Sequence, residues 1–255
     1  MSERELRRLQ REIPDCRACP RLVGYLESLR PRHPGYWCRP VPGFGDARGW
    51  LSIVGLAPGL HGANRSGRPF YLDASGKWLY GTLERLGLWD GRELRGVYIL
   101  NAVKCVPPGN RPVSAELDAC RPWLARELAA LRRSRVVLTL GKLAHDAVLK
   151  TWGARPLARY PFEHGAVYQI EGRPALLASY HPSRQNTNTG RLTRPMWSRI
   201  FRRALALERS SASALDPGPA PGAARRGGSP GARARAGASD ARSRPRRGSP
   251  RARER

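Results

Sequence analysis

The chain has 255 residues, a formal net charge of +26 at pH 7 and a sequence pI near 11.4. Its length suits one sizeable domain, and no apolar run approaches the roughly 18 residues that a membrane span needs. The first turns are charged rather than signal-like, which predicts a cytoplasmic protein. Such an excess of positive charge makes nucleic acid the natural partner, with a plain solvated basic surface as the alternative.

The charge is unevenly placed. Residues 211–255 carry 11 arginines against three acids, Asp216, Asp240 and Glu254. They are rich in Gly, Pro, Ala and Ser and have almost no large apolar side chains, so they cannot bury a core and are expected to be disordered. The expected division is a folded domain over 1–209 and a disordered basic tail over 210–255. Most of the positive charge still falls on the folded part.

In chain order, Ser2 to Ile13 reads as a charged helix stopped at Pro14. CRACP and the irregular HPGYWCRPVPGFGD follow. Trp50 to Val54 is a short buried strand. Next comes GLAPGLHGANRSGRPFYLDASG, Gly55 to Gly76, a long Gly- and Pro-rich segment that carries His61, Asn64, Arg65, Arg68, Phe70 and Asp73. A loop this long inside a compact domain is normally functional or disordered. Its glycines let backbone approach a ligand closely, and its polar groups can read one.

Ser75 to Leu88 has helical spacing with Ser75 as its N-cap. Gly96 to Val103 is a strand, Ser114 to Leu131 a helix, Arg135 to Leu140 a strand and Gly141 to Lys150 a helix. A hairpin is expected near 157–171, then a strand from Pro174 to Ser179 and a basic helix from Arg191 to Glu208. This alternation predicts an α/β fold of three layers, with a central four-stranded, mainly parallel sheet flanked by helices. Gly55, Asn101, Gly141 and His181 each fall at or just beyond the carboxyl end of a predicted strand. In an open α/β sheet that edge binds ligands.

Five cysteines need an explanation where disulfides are disfavoured. Cys16 and Cys19 form a CxxC; Cys105 and Cys120 stand fourteen residues apart. Paired CxxC motifs would suit zinc better. Four thiolates can hold a [4Fe–4S] cluster, which tolerates wider ligand spacing. Zinc and plain buried thiols remain open on spacing alone. Cys38 has no near partner and reads as a packed thiol.

GLAPG (55–59), GRPFYLDASG (67–76), NAVKC (101–105) and SYHPS (179–183), with the cysteine quartet, resemble the uracil-DNA glycosylase superfamily. The match is to its iron–sulfur branch, family 5, the type-b enzymes, and runs over about residues 14–205. The resemblance implies a monofunctional, hydrolytic glycosylase that removes uracil, and also hypoxanthine and some damaged bases, from double-stranded DNA. It implies a [4Fe–4S] cluster on Cys16, Cys19, Cys105 and Cys120, with a mainly structural role. It further implies a monomer in a bacterial cytoplasm, associated with the nucleoid, and no membrane partner.

The residues suit that chemistry. An extruded base needs a pocket. Phe70 supplies a ring to stack on it, and Asn101 has the donor and acceptor to pair with its edge. Breaking the N-glycosidic bond leaves negative charge on the base and oxocarbenium character on the sugar. His181 can donate a hydrogen bond to that developing oxyanion. A carboxylate suits water placement and cation stabilisation. Other branches of the superfamily place an acid or Asn in the first motif, where this chain has Leu56 and Ala57, so Asp73 is the remaining carboxylate. Its bland alternative is a helix cap.

Gly55, Ala57, Gly59 and His61 are expected to wall the pocket. Gly59 replaces the tyrosine that excludes thymine in uracil-only members, which implies a broader base range. Ser183 and Arg184 open a polar loop, Ser183 to Thr193, whose Arg184, with Arg191 and Arg194, can contact phosphates. FYLD departs from the family's FTGD, and the bulk of Tyr71 and Leu72 is expected to shift Asp73 or narrow the pocket. No lysine stands in a recognised motif as a Schiff-base nucleophile, so no lyase step is expected. Rival readings are a non-catalytic iron–sulfur DNA-binding protein of the same fold and a charge-driven RNA-binding module.

Overall fold

The computed structural model describes residues 2–215, so the expected basic tail lies outside the described residues from position 216 onward. Eight helices and six strands are formed among the described residues. The helices are α1 (Ser2–Glu12), α2 (Pro20–Leu29), α3 (Ala63–Ser66), α4 (Ala74–Arg85), α5 (Ser114–Ala130), α6 (Lys142–Trp152), α7 (Arg184–Asn188) and α8 (Arg194–Leu215). The strands are β1 (Phe44–Gly45), β2 (Leu51–Gly55), β3 (Val97–Asn101), β4 (Val136–Leu140), β5 (Val167–Tyr168) and β6 (Ala175–Ser179).

One sheet has the order β1-β3-β2-β4-β6-β5. Its four central strands run parallel, as the sequence predicts, and the two-residue strands β1 and β5 add antiparallel edges. The central strands are buried along their whole length, as expected of a parallel sheet covered on both faces. Alternation sorts their side chains. Leu51, Ile53, Val97, Ile99, Leu138 and Leu177 meet α4 and α8 on one face. Val54, Tyr98, Leu100, Val137 and Leu176 meet α1, α5 and α6 on the other. A one-residue slip in any strand would exchange these sets, so the register is strongly specified.

The chain leaves β2 toward β3 on one side, and leaves β4 toward β6 on the other. This places a topological switch between β2 and β4, where a crevice opens at their carboxyl ends. A third cluster lies beside that edge: Leu22, Leu26 and Leu29 of α2 pack on Cys38, Val103, Cys105, Val106 and Cys120. Arg21 ties α2 to α5 through a two-pronged ion pair with the buried Glu116, at 2.7 Å for each nitrogen.

Several elements differ from the sequence reading. Helix α2 was not expected, although Leu22, Leu26 and Leu29 already show helical spacing behind Pro20. The segment after HPS is a short helix rather than a loop, because the Ser183 hydroxyl caps it by accepting from Asn186 N at 3.3 Å. Helix α8 continues to Leu215, beyond the expected boundary at 209. Helix α4 is capped by Asp73 and not by Ser75: Asp73 Oδ1 accepts from Gly76 N at 2.7 Å. Asp73 has the extended backbone that an N-cap requires, and Ser75 already lies inside the first turn.

Candidate active site

The carboxyl ends of β2, β3 and β6 bring Gly55, Asn101 and His181 to one edge of the sheet, and the Gly55–Gly76 segment folds over them. The resulting cavity has a volume of about 800 Å³. Its lining includes Ala57, Gly59, His61, Phe70, Asp73, His181, Ser183 and Arg184. These are eight of the residues that the sequence singles out. Gly55 and Asn101 are not part of that lining; both pack against Phe70, which is.

Close packing sets the inner wall. A Cβ on Gly55 would sit 2.5 Å from Asn101 Oδ1 and 2.5 Å from Phe70 Cζ, so only glycine fits between them. Asn101 is buried, and its Oδ1 has no partner among the described residues. A buried, unpaired carbonyl oxygen costs about 1–3 kcal/mol. An incoming N–H donor would recover that energy, as expected of a group kept for a ligand.

Phe70 is buried and adopts φ 58°, a left-handed backbone unusual for a bulky residue. The turn is held by α4, because a Cβ on Gly76 would collide with the Phe70 carbonyl. The rings of Phe70 and His181 have centroids 5.6 Å apart and planes inclined by 33°. A base sandwiched between two parallel rings needs about 7 Å, twice the 3.4 Å stacking rise. At 5.6 Å the two rings are too close for a base to lie between them.

His181 is held by its backbone, whose carbonyl accepts from Asn186 Nδ2 at 2.8 Å. Loss of hydration pushes its imidazole pKa down to about 4, so the ring is neutral at neutral pH. Asp73 moves the other way: burial raises its carboxyl pKa, opposed by the backbone N–H groups of Gly76 and Ser75. Its two oxygens are differently placed. Oδ1 caps α4, while Oδ2 lies against bare backbone, with a Cβ on Gly59 falling 3.3 Å away. Capping and facing the cavity are thus compatible in one carboxylate.

The FYLD departure resolves at Leu72. This residue has φ 72° and is 54% exposed, so its side chain stands at the cavity rim while Asp73 keeps its capping position. Outside the inner wall, His61 is exposed, with Tyr36 Oη 3.0 Å from its Nδ1. Arg184 is exposed at the mouth. Arg191 and Arg194 lie over the rings of Tyr180 and Trp78, at 4.8 Å and 3.8 Å. The Ser183 hydroxyl is already engaged in capping α7.

A model of the uracil DNA glycosylase superfamily matches residues 42–205. A type-5 uracil-DNA glycosylase of Thermus thermophilus is 48% identical over 205 residues, covering 75% of this chain and 93% of that protein. The chain belongs to the uracil-DNA glycosylase superfamily, in its type-5 branch. A type-5 relative from Pyrobaculum aerophilum is 46% identical over 207 residues, 76% of this chain and 89% of its own length. A type-4 uracil-DNA glycosylase from the same organism is 34% identical over 185 residues, 70% of this chain and 83% of its length.

The four cysteines come together on the layer beside this pocket. Cys105 and Cys120 are buried, Cys16 and Cys19 partly so. Cys19 packs on the apolar cluster that contains Cys105 and Cys120, and so does Trp123, which also reaches Cys16, so the quartet shares one neighbourhood. Burial pushes Cys120 up to about 11 and raises Cys105 as well. Donors point at two of the sulfurs: Trp123 Nε1 at 3.2 Å from Cys16 Sγ, and Lys104 N at 3.3 Å from Cys120 Sγ. Among the described residues, no three Cys, His, Asp or Glu side chains are gathered as a site for a metal ion. Four thiols in one neighbourhood, two of them met by N–H donors, are the donor chemistry that an iron–sulfur cluster would use. Cys38 is the packed thiol that the sequence suggests, with Asn64 Nδ2 3.6 Å from its sulfur.

The sequence reading missed three features. One is Gly62, whose bare Cα faces Asp73. Another is Tyr36, which steadies His61. The third is the Lys104–Glu127 ion pair beneath Asn101, both members 1% exposed. Residues 23 positions apart in unrelated elements leave no local pattern.

Proposed function

We propose that this protein is a monofunctional uracil-DNA glycosylase, which flips uracil out of DNA and hydrolyses its N-glycosidic bond. The observation that carries the reading is the orphaned Oδ1 of Asn101, buried against Gly55 next to Phe70, whose ring lines a pocket shared with Asp73 and His181. The similarity to type-5 uracil-DNA glycosylases agrees with it.

In the proposed reaction the base stacks on Phe70 and pairs its edge with the Asn101 amide. As the bond between base and C1′ breaks, its electron pair leaves with the base. A neutral imidazole loses less by burial than a cation, and His181 donates a hydrogen bond to the base oxygen that gains charge. The Asp73 carboxylate faces the cationic sugar and places the water whose oxygen bonds to C1′. The products are free base and an abasic site. Exposed Arg184 at the mouth, with Arg191 and Arg194 in the same stretch of chain, supplies the phosphate attraction that DNA needs.

Gly59 leaves the pocket open beside Asp73, which supports acceptance of hypoxanthine and other deaminated bases as well. A [4Fe–4S] cluster on Cys16, Cys19, Cys105 and Cys120 would tie the N-terminal segment and α5 to the body, a structural role with no part in the hydrolysis. We read the protein as a monomer that works at the nucleoid. No helix of the described residues is long and apolar enough to cross a membrane. Lys104 is sequestered in its ion pair with Glu127, which supports hydrolysis without a lyase step.

The test is a duplex oligonucleotide with one uracil, incubated with protein and then treated with alkali. Cleavage at the uracil position with alkali, and none without it, is expected. Intact DNA under both conditions would leave a binding protein of the same fold; borohydride trapping of a covalent complex would overturn the purely hydrolytic assignment.

A further inference from the structure

Beneath the pocket, the segment Asn101–Cys105 turns around a charge that has no access to water. The Lys104 ammonium donates to Glu127 Oε2 and to the main-chain carbonyl of Asn101. Both side chains are 1% exposed. Glu127 comes from α5 and is held in turn by Gly43 N, which donates to Oε1 at 2.8 Å. The main chain of Lys104 is pinned as well: its N–H points to Cys120 Sγ at 3.3 Å and its carbonyl accepts from Val41 N at 2.7 Å. The sheet ladder continues past β3 through Ala102 N to Gly55 O and Val103 N to Leu56 O.

Asn101 is therefore fixed from two directions. On its outer side Gly55 and Phe70 confine the amide. On its inner side a buried cation holds its carbonyl. A buried ion pair is weak support for stability in itself, since apolar residues of similar volume often serve as well. Its retention calls for another reason, and the ammonium's second acceptor supplies one.

We propose that Lys104, neutralised by Glu127, is the positioning residue for Asn101, fixing the backbone from which the base-reading amide projects. This rests on the reading of the pocket as a uracil site and adds the residues that aim it. Lys104 touches neither base nor sugar. It acts through the main chain of Asn101 alone.

Removing only Lys104 would strand the Glu127 charge and could unfold the protein, so the informative variant is Lys104→Met/Glu127→Gln. The glutamine keeps an acceptor for Gly43 N, and the pair becomes neutral. Single-turnover uracil excision by full-length protein is measured for this variant with Asn101 intact and again in an Asn101→Ala background. Misplacement by about an ångström can cost up to 100-fold, so a fall of about 10- to 100-fold is expected with Asn101 present. Less than about 3-fold further loss is expected without it, because coupled residues are non-additive. Equal losses in both backgrounds, or no loss in the first, would overturn the assignment. A readout without turnover keeps the two proposals apart. In nitrogen-15 spectra the side-chain amide signals of Asn101 should move in the double variant, whatever the activity of the parent; unmoved signals would sink the positioning role even in an active enzyme.

Discussion

Gly62 and Asp73 are packed so closely that a Cβ on the glycine would lie 2.8 Å from Asp73 Cγ and nearer still to Oδ2. The carboxylate is thus held on one side by the backbone of α3's entry and on the other by its cap to Gly76 N. Its place in the cavity is determined by main chain on both sides, which is how a short side chain can be held rigidly without an ion pair.

This arrangement separates the two roles of Asp73. Asparagine is as good an N-cap as aspartate, so Asp73→Asn should leave thermal stability within about 0.5 kcal/mol. Its uracil excision should fall at least about 100-fold, as expected when a general base or electrostatic group is lost. Asp73→Ala should lose the rate and also about 1 kcal/mol of stability. A fully active Asp73→Asn would reduce the residue to a cap. Gly62→Ala should lower the rate too, by displacing the carboxylate while leaving it charged.

The acid side of the pH profile follows from the same burial. Because the Asp73 carboxyl titrates above its ordinary range, excision should decline with falling pH earlier than a solvated carboxylate would dictate. His181 acts on stability. Its ordinary value is 6.5 and its folded value about 4, so between these the unfolded chain takes up a proton that the native ring refuses. Stability from this source is therefore complete above about pH 6.5 and is lost as pH falls toward 4. Denaturant midpoints across that window should show a smaller slope for His181→Asn than for the parent.

Leu72 gives a prediction about strain. An exposed side chain is ordinarily replaceable within about 0.5 kcal/mol. Leu72 instead occupies the left-handed region at φ 72°, where an L-residue loses about 1–2 kcal/mol. Leu72→Val should be clearly destabilising, because β-branching worsens that conformation, whereas Leu72→Gly should match or exceed the parent in thermal unfolding. Similar unfolding temperatures for the valine and glycine variants would contradict a strained turn.

For the cysteines, protein purified anaerobically should absorb near about 400 nm, the signature of a thiolate-bound cluster. Cys105→Ser and Cys120→Ser should each bleach that band and lower the unfolding temperature. Cys38→Ser should keep the band, since its sulfur faces Asn64 instead. Iron and sulfide analysis of the parent gives the independent count; absence of both would return the quartet to plain buried thiols.

Much of this arrangement was legible in the sequence, for identifiable reasons. The central strands are continuous apolar runs flanked by turn residues, and β2, β4 and β6 fall within a residue or two of expectation. Gly55, Asn101 and His181 stand at their ends, so the functional edge follows from the strands alone. Strands β1 and β5 have two residues each, too few for periodicity, although β5 falls inside the hairpin expected near 157–171. Helix α2 carries its signal in Leu22, Leu26 and Leu29, but over ten residues only. The cap at Asp73 is the alternative that its sequence position already offers, beside Ser75, an equally good capping residue two positions later. Lys104 and Glu127 were beyond reach, because only the packing of α5 under the β3 turn brings them together.

The most direct measurement of the central claim is the single-turnover excision rate of Asn101→Ala on a uracil-containing duplex, paired with its affinity for the same duplex. Asn101 makes no phosphate contact in this account, so affinity should remain within about 3-fold, while loss of base pairing and of charge placement should slow excision by about 100-fold or more. An unchanged excision rate would contradict the account, because the orphaned Oδ1 beside Gly55 would then have no part in reading the base.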